Sequence, residues 1–171
     1  MKRLIASHKL NYYLKPGEVL VSRNPVLVTT VLGSCVAVTM YSPRQAVGAI
    51  CHAMLPGNNG GQTQDLLYVD TAVRYIYSKM VKYGAIDDMV VKLFGGAQVL
   101  DAANYSSTRL TVGEQNVARA EEAFKALGLT VSKFDIGGVR GRKLFFSIKN
   151  GDVYLRKMGP RCDLIDRELT P

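Results

Sequence analysis

The sequence predicts an α/β fold, a layered sandwich with a mostly antiparallel sheet and two main helices. Three observations carry this. Four short runs rich in small and β-branched residues follow one another over residues 18–55, punctuated by Pro25, Gly33-Ser34 and Pro43. Two segments, 66–84 and 114–128, repeat apolar residues at helical spacing and stop on glycine. Further strand-like runs lie between and after them, so strands and helices do not alternate strictly, and one sheet carrying both helices would bury both amphipathic faces.

The four opening strands are "EVLVSR" (18–23), "VLVTTVL" (26–32), "CVAVTMY" (35–41) and "QAVGAICHAML" (45–55). A glycine-rich loop, "PGNNGGQTQD", leads into the first helix, where Leu66, Val69, Val73, Ile76, Tyr77 and Met80 share a face. A strand follows in "DMVVKLFGG", then an irregular polar stretch over 98–112. The second helix aligns Val117, Ala120, Phe124 and Leu127 and ends at Gly128. Strands at "LTVSKFD", "KLFFSIK" and "DVYLRK" close the chain, the last two joined by Asn150-Gly151, a hairpin signal.

The 171 residues fit one domain able to remove about two-thirds of its unfolded surface from water. Its core is expected over about 12–158, between a loose amino terminus and the polar tail "GPRCDLIDRELTP". The amino terminus lacks an apolar run of signal-peptide length, which points to the cytoplasm. No charge occurs from Asn24 to Pro43, but the prolines, hydroxyls and central Gly33-Ser34 make this stretch two buried strands rather than a membrane span. The net charge of +8 favours acidic partners. Nucleic acid is not among them: there is no phosphate-binding glycine loop and no basic-aromatic stripe beyond "VRGRKLFF", read as a solvated strand end.

Cys35, Cys51 and Cys162 make an odd count without CxxC spacing, which argues against a disulfide framework and suits a reducing compartment. A zinc site from these and His52 lacks closely spaced ligand pairs. Cys35 follows a glycine-serine turn, and a cysteine there becomes a nucleophile only with a base beside it. Of the two histidines, His8 lies near the terminus, whereas His52 falls toward the same sheet end as Cys35 if their strands pair through the "SPR" turn. Strand alternation separates Cys51, with Val47 and Ala49, from His52, so Cys51 is core. Backbone amides at Gly33 and Ser34 are candidate oxyanion donors, and a hydroxyl from Thr29 or Thr30 is the candidate that orients the imidazole. The pattern does not choose between the two threonines.

"TTVLGSCVAVTMY" followed by "AICHAMLP" resembles the signature of the chemoreceptor glutamine deamidase family, CheD. The likeness extends through "YYLKPGE", "YVDTAVRYI", "KLFGGAQ", "VGEQN", "DIGGVRGRKLFF" and "GDVYLRK", in the family's order. It implies a catalytic set of Cys35, His52 seventeen residues later and Thr29 six residues earlier, on a fold similar to bacterial toxin-type glutamine deamidases. It also implies hydrolysis of glutamine side chains to glutamate and ammonia on chemoreceptor cytoplasmic domains, without cofactor or metal, and the CheC phosphatase as a partner. Gln115 stands where the family commonly has arginine, and Cys51 is not a fixed family feature. The alternative is a non-catalytic regulatory binding module of the chemotaxis machinery on the same fold.

Overall fold

The computed structural model describes residues 2–57, 65–98, 110–159 and 165–169, with only the backbone described for Lys2 and 165–169. Cys162 and most of the 98–112 stretch lie outside the described residues. The elements run α1 (Lys2–Ala6), β1 (Leu10–Tyr13), β2 (Val19–Ser22), β3 (Val26–Leu32), β4 (Val36–Ser42), β5 (Val47–Ala53), α2 (Val69–Lys82), β6 (Val90–Gly95), α3 (Val112–Leu127), β7 (Val131–Ile136), β8 (Arg142–Ser147), β9 (Val153–Lys157) and β10 (Ile165–Leu169).

The sandwich is layered as the sequence implies, but its strands divide into two five-stranded sheets rather than one. The outer sheet has the order β1-β3-β8-β9-β10, and the central sheet has β2-β5-β4-β6-β7. Pairing is antiparallel except for β1 with β3 and β6 with β7. The central sheet is covered on both faces. On one side Val36, Val38, Met40, Ala49 and Cys51 pack against Val73 and Ile76 of α2 and Phe124 of α3. On the other, Ala37, Ile50 and Phe94 meet Val28, Leu32, Leu144 and Phe146 of the outer sheet. Burial on both faces explains why β4 and β5 read as one nearly continuous apolar stretch instead of alternating.

Local chemistry fixes the helix ends. Thr111 and Glu114 form a reciprocal capping box that starts α3 two residues before the expected boundary, and Gly128 closes it in the left-handed conformation. Near the amino terminus, residues 8–13 contact the outer sheet. β1 pairs with β3, and the buried His8 Nε2 lies 2.9 Å from Ser147 Oγ on the outer sheet. In the polar tail, β10 adds to β9. Both elements escape sequence reading because they are short edge strands whose pairing partners, not their own periodicity, define them.

Candidate functional site

Pairing of β4 with β5 sets Ala37 opposite His52. The alternation of side chains then puts His52, with Ile50, between the two sheets and Cys51 on the helix side, as the pattern predicts. Cys35 ends the connection from β3 to β4 and packs, half-buried, against the inter-sheet cluster. It precedes Ala37 by two positions, so it is a diagonal cross-strand neighbour of His52 on the same side of the sheet.

The two candidate threonines fall on different faces of β3. Thr30, not Thr29, meets the imidazole: its Oγ1 lies 2.8 Å from His52 Nδ1. Val28, Thr30 and Leu32 face the central sheet, whereas Thr29, opposite Phe145, projects from the other face of β3. The backbone of Thr29 takes part nearby, its carbonyl accepting from the Leu14 N–H at 2.9 Å.

One proton settles the histidine tautomer. The Thr30 hydroxyl donates to the Leu14 carbonyl at 2.7 Å, and a carbonyl oxygen can only accept. With its single hydrogen used there, Oγ1 accepts from His52 Nδ1–H. The lone pair of the neutral ring is therefore on Nε2, which is buried and has no hydrogen-bond partner among the described residues. Residues 14–18 complete this frame: the Gly17 N–H donates to the His52 carbonyl at 2.8 Å, and the His52 N–H to the Glu18 carbonyl at 3.1 Å.

Burial acts on the two groups in opposite senses. It pushes the Cys35 thiol above its ordinary value, partly offset by the residue's own backbone N–H. It pulls the His52 imidazolium below its ordinary value, against the Leu14 carbonyl and the Glu18 carboxylate. Both shifts favour thiol and imidazole over an ion pair. Cys51, sealed in hydrocarbon, is pushed up to about 12, which keeps it in the thiol form.

Glycine loops and two polar clamps hold the Cys35 turn. The Gly96 N–H donates to the Cys35 carbonyl and the Ala97 N–H to the Gly33 carbonyl, each at 2.8 Å. Gly95 sits at φ 112°, and a Cβ there would stand 2.1 Å from the Cys35 carbonyl oxygen, so only glycine fits. The Gly137 N–H in turn donates to the Gly95 carbonyl at 2.9 Å, and the Gln98 N–H to the Gly138 carbonyl at 2.8 Å. The first clamp is Arg142, fully buried rather than a solvated strand end. Its guanidinium pairs with the Asp135 carboxylate at 2.7 Å and donates to the carbonyls of Gly95, Asp135 and Gly137.

The second clamp is Asn116 of α3, whose Nδ2 donates to the Ser34 and Met54 carbonyls, both at 2.9 Å. Sequence reasoning missed both clamps. A signal for Asn116 existed: asparagine is a poor helix former, yet it occupies an interior position of an otherwise well-formed helix. The side chain of Gln115, the departure noted in the sequence, donates to the nearby Leu110 carbonyl at 2.8 Å. Among the described residues no cluster of histidine, cysteine and carboxylates is arranged to hold a metal. No described helix is long and apolar enough to cross a membrane.

Comparison with known proteins gives one direction. A profile of the family described as CheD chemotactic sensory transduction matches residues 54–157. A probable chemoreceptor glutamine deamidase CheD 2 of Geobacter sulfurreducens is 42% identical over 85% of this chain and 89% of its own. Probable chemoreceptor glutamine deamidases CheD of Maridesulfovibrio salexigens and Methanococcus maripaludis are 41% and 37% identical, over 85% and 84% of this chain and 91% and 93% of theirs.

Proposed function

Because this chain belongs to the CheD family, we propose that it is a protein-glutamine deamidase acting on chemoreceptor cytoplasmic domains through a cysteine nucleophile. His52 Nε2 takes the Cys35 proton as sulfur adds to the glutamine carboxamide carbon, and the carbonyl electron pair moves to oxygen. When the tetrahedral adduct collapses, the imidazolium returns that proton to the departing nitrogen, releasing ammonia and leaving a thioester. Water, activated by the same nitrogen, hydrolyses the thioester to glutamate and the free thiol. Backbone amides of the Gly33 to Cys35 turn stabilise the two oxyanions. Thr30 takes the orienting role that family likeness gives to Thr29.

The observation that carries this reading is the tautomer lock. A hydroxyl committed to the Leu14 carbonyl leaves His52 Nε2 as a base without a hydrogen-bond partner among the described residues, on the face that Cys35 shares. The raised thiol and lowered imidazolium favour proton transfer during attack over a standing ion pair. The positive charge supplies salt-dependent steering toward glutamate-rich receptor helices. The chemistry takes place in the cytoplasm, with CheC as a partner of the same protein.

The test is incubation with a receptor cytoplasmic fragment, with amide-to-acid conversion mapped by mass spectrometry. Wild-type protein converts defined glutamines and Cys35→Ala does not. Equal conversion by both removes Cys35 as the nucleophile, and binding without conversion by either favours the regulatory module.

A further inference from the structure

Two carbonyls, those of Ser34 and Met54, converge on one side-chain nitrogen, Asn116 Nδ2. Because both neighbours only accept, the amide orientation of Asn116 is fixed with nitrogen toward them. Its Oδ1 is then a buried acceptor with no partner among the described residues. A residue placed for helix stability would not carry that cost. Its value must lie in what the nitrogen holds.

The nitrogen holds the peptide unit that enters Cys35. Every described peptide is trans, so the Ser34 carbonyl and the Cys35 N–H point in opposite directions. Asn116 belongs to α3, on the helix side of the central sheet, and draws the carbonyl toward that side. The Cys35 N–H is thereby turned away from α3, toward the inter-sheet side where Cys35 and His52 pack. Among the described residues no backbone carbonyl accepts it. Its closeness to its own sulfur is felt in the thiol, which it biases toward the anion. The Gly96 N–H on the Cys35 carbonyl fixes the following peptide as well, so the nucleophile is held on both sides.

We propose that Asn116 is a positioning residue for deamidation, one that locks the peptide between Ser34 and Cys35 so that the Cys35 N–H stands ready as the oxyanion donor. This deepens the deamidase reading and rests on it. Asn116 touches no reacting atom. It acts through the backbone, and its loss is felt where negative charge develops on oxygen.

The experiment compares Asn116→Ala and Asn116→Asp with wild type and with Ala120→Gly, a change elsewhere on α3 that weakens the helix without touching the Cys35 turn. Deamidation of a receptor fragment and alkylation of Cys35 by iodoacetamide are measured side by side, since alkylation is a displacement at saturated carbon and develops no oxyanion. In both Asn116 variants kcat is expected to fall by about 10²-fold or more, with KM within about threefold and alkylation unchanged. Values of kcat within about threefold of wild type overturn the proposal. So does a parallel loss of deamidation and alkylation that tracks the thermal midpoint, as Ala120→Gly would show.

A measurement on wild-type protein serves if the variants do not fold. A receptor peptide with glutamate semialdehyde in place of the target glutamine forms a thiohemiacetal on Cys35, and the Cys35 amide proton is followed by NMR. A strong downfield shift on adduct formation supports the proposal, and an adduct that leaves that proton unmoved overturns it. If wild type neither releases ammonia nor forms the adduct, the deamidase reading falls and takes this inference with it. Normal wild-type release with fully active Asn116 variants removes this inference alone.

Discussion

The two faces of the central sheet differ in what they bury. The helix side is nearly all hydrocarbon, and its one thiol among the described residues, Cys51, is held far above its ordinary value by burial. The inter-sheet side takes in Thr30, Lys92 and Arg142, which donate to backbone carbonyls, and His52, whose ring meets the Thr30 hydroxyl. Residues 51 and 52 are neighbours in sequence but belong to different chemical environments, because strand alternation sends them to opposite layers. The two thiols therefore differ in environment, Cys35 half-buried on the inter-sheet side and Cys51 sealed on the helix side.

The sharpest way to break this contrast is to change each thiol in turn. Cys35→Ala is expected to abolish ammonia release, by at least about 10³-fold, while the thermal midpoint stays near wild type, since the side chain is only half-buried. Cys51→Ser should do the reverse. A hydroxyl in the helix-side core costs about 1–3 kcal/mol, read in urea unfolding, while turnover per folded molecule is preserved. If Cys51→Ser silences the enzyme while folded, the layer argument is wrong.

The two adjacent threonines sharpen the comparison within the outer sheet. Thr30→Val removes the hydroxyl that fixes the His52 tautomer and leaves the Leu14 carbonyl unpaired. A decrease of about 10- to 100-fold in kcat is expected, below the loss on removing a buried triad carboxylate because a neutral hydroxyl stabilises the imidazolium less. Thr29→Val should stay within about threefold, because that side chain projects from the opposite face. Steady-state ammonia kinetics on the pair decide between them, and a larger loss at Thr29 would restore the assignment drawn from family likeness.

How much of this was legible in the sequence follows from the same geometry. Strand alternation within β5 is local, so the separation of Cys51 from His52 could be read from seven residues. Amphipathic α2 and α3 were equally plain, since their apolar positions repeat along one segment. The division into two sheets was hidden. β4 and β5 are buried on both faces, and an all-apolar run does not say which neighbour covers which side. The choice of Thr30 over Thr29 depended on which face of β3 met the central sheet, a tertiary fact. Arg142 looked solvated because a buried guanidinium is rare, and its partners are mainly carbonyls of a glycine loop with no side chain to announce them.

Two glycines with positive φ extend the comparison to the backbone. Gly95→Ala drives a methyl into the Cys35 carbonyl, 2.1 Å away, at a φ of 112° that alanine resists. It should cost about 3 kcal/mol or more and reduce turnover of the folded fraction. Gly128→Ala has nothing within 4 Å of the new methyl, so only the left-handed backbone strain remains, about 1 kcal/mol, with activity unchanged. Denaturant midpoints and specific activity together separate close approach at the site from strain at a distant helix end.

The smallest effect lies in the pH dependence of stability. Folded His52 releases its proton at lower pH than the 6.5 of a free imidazole, because burial disfavours the cation. Below about pH 6.5 the unfolded chain therefore binds more protons than the folded one, and acid draws the equilibrium toward unfolding. The contribution from His52 is fully present above that value and is lost progressively as pH falls through the folded value. His52→Gln, neutral at every pH, should flatten this limb of a urea-midpoint profile taken between about pH 5 and pH 8. The activity limb should move with it, rising as the imidazole loses its proton and levelling off near neutrality. An activity limb at alkaline pH instead would mean that the thiol of Cys35 must ionise unaided, leaving His52 as packing between the sheets.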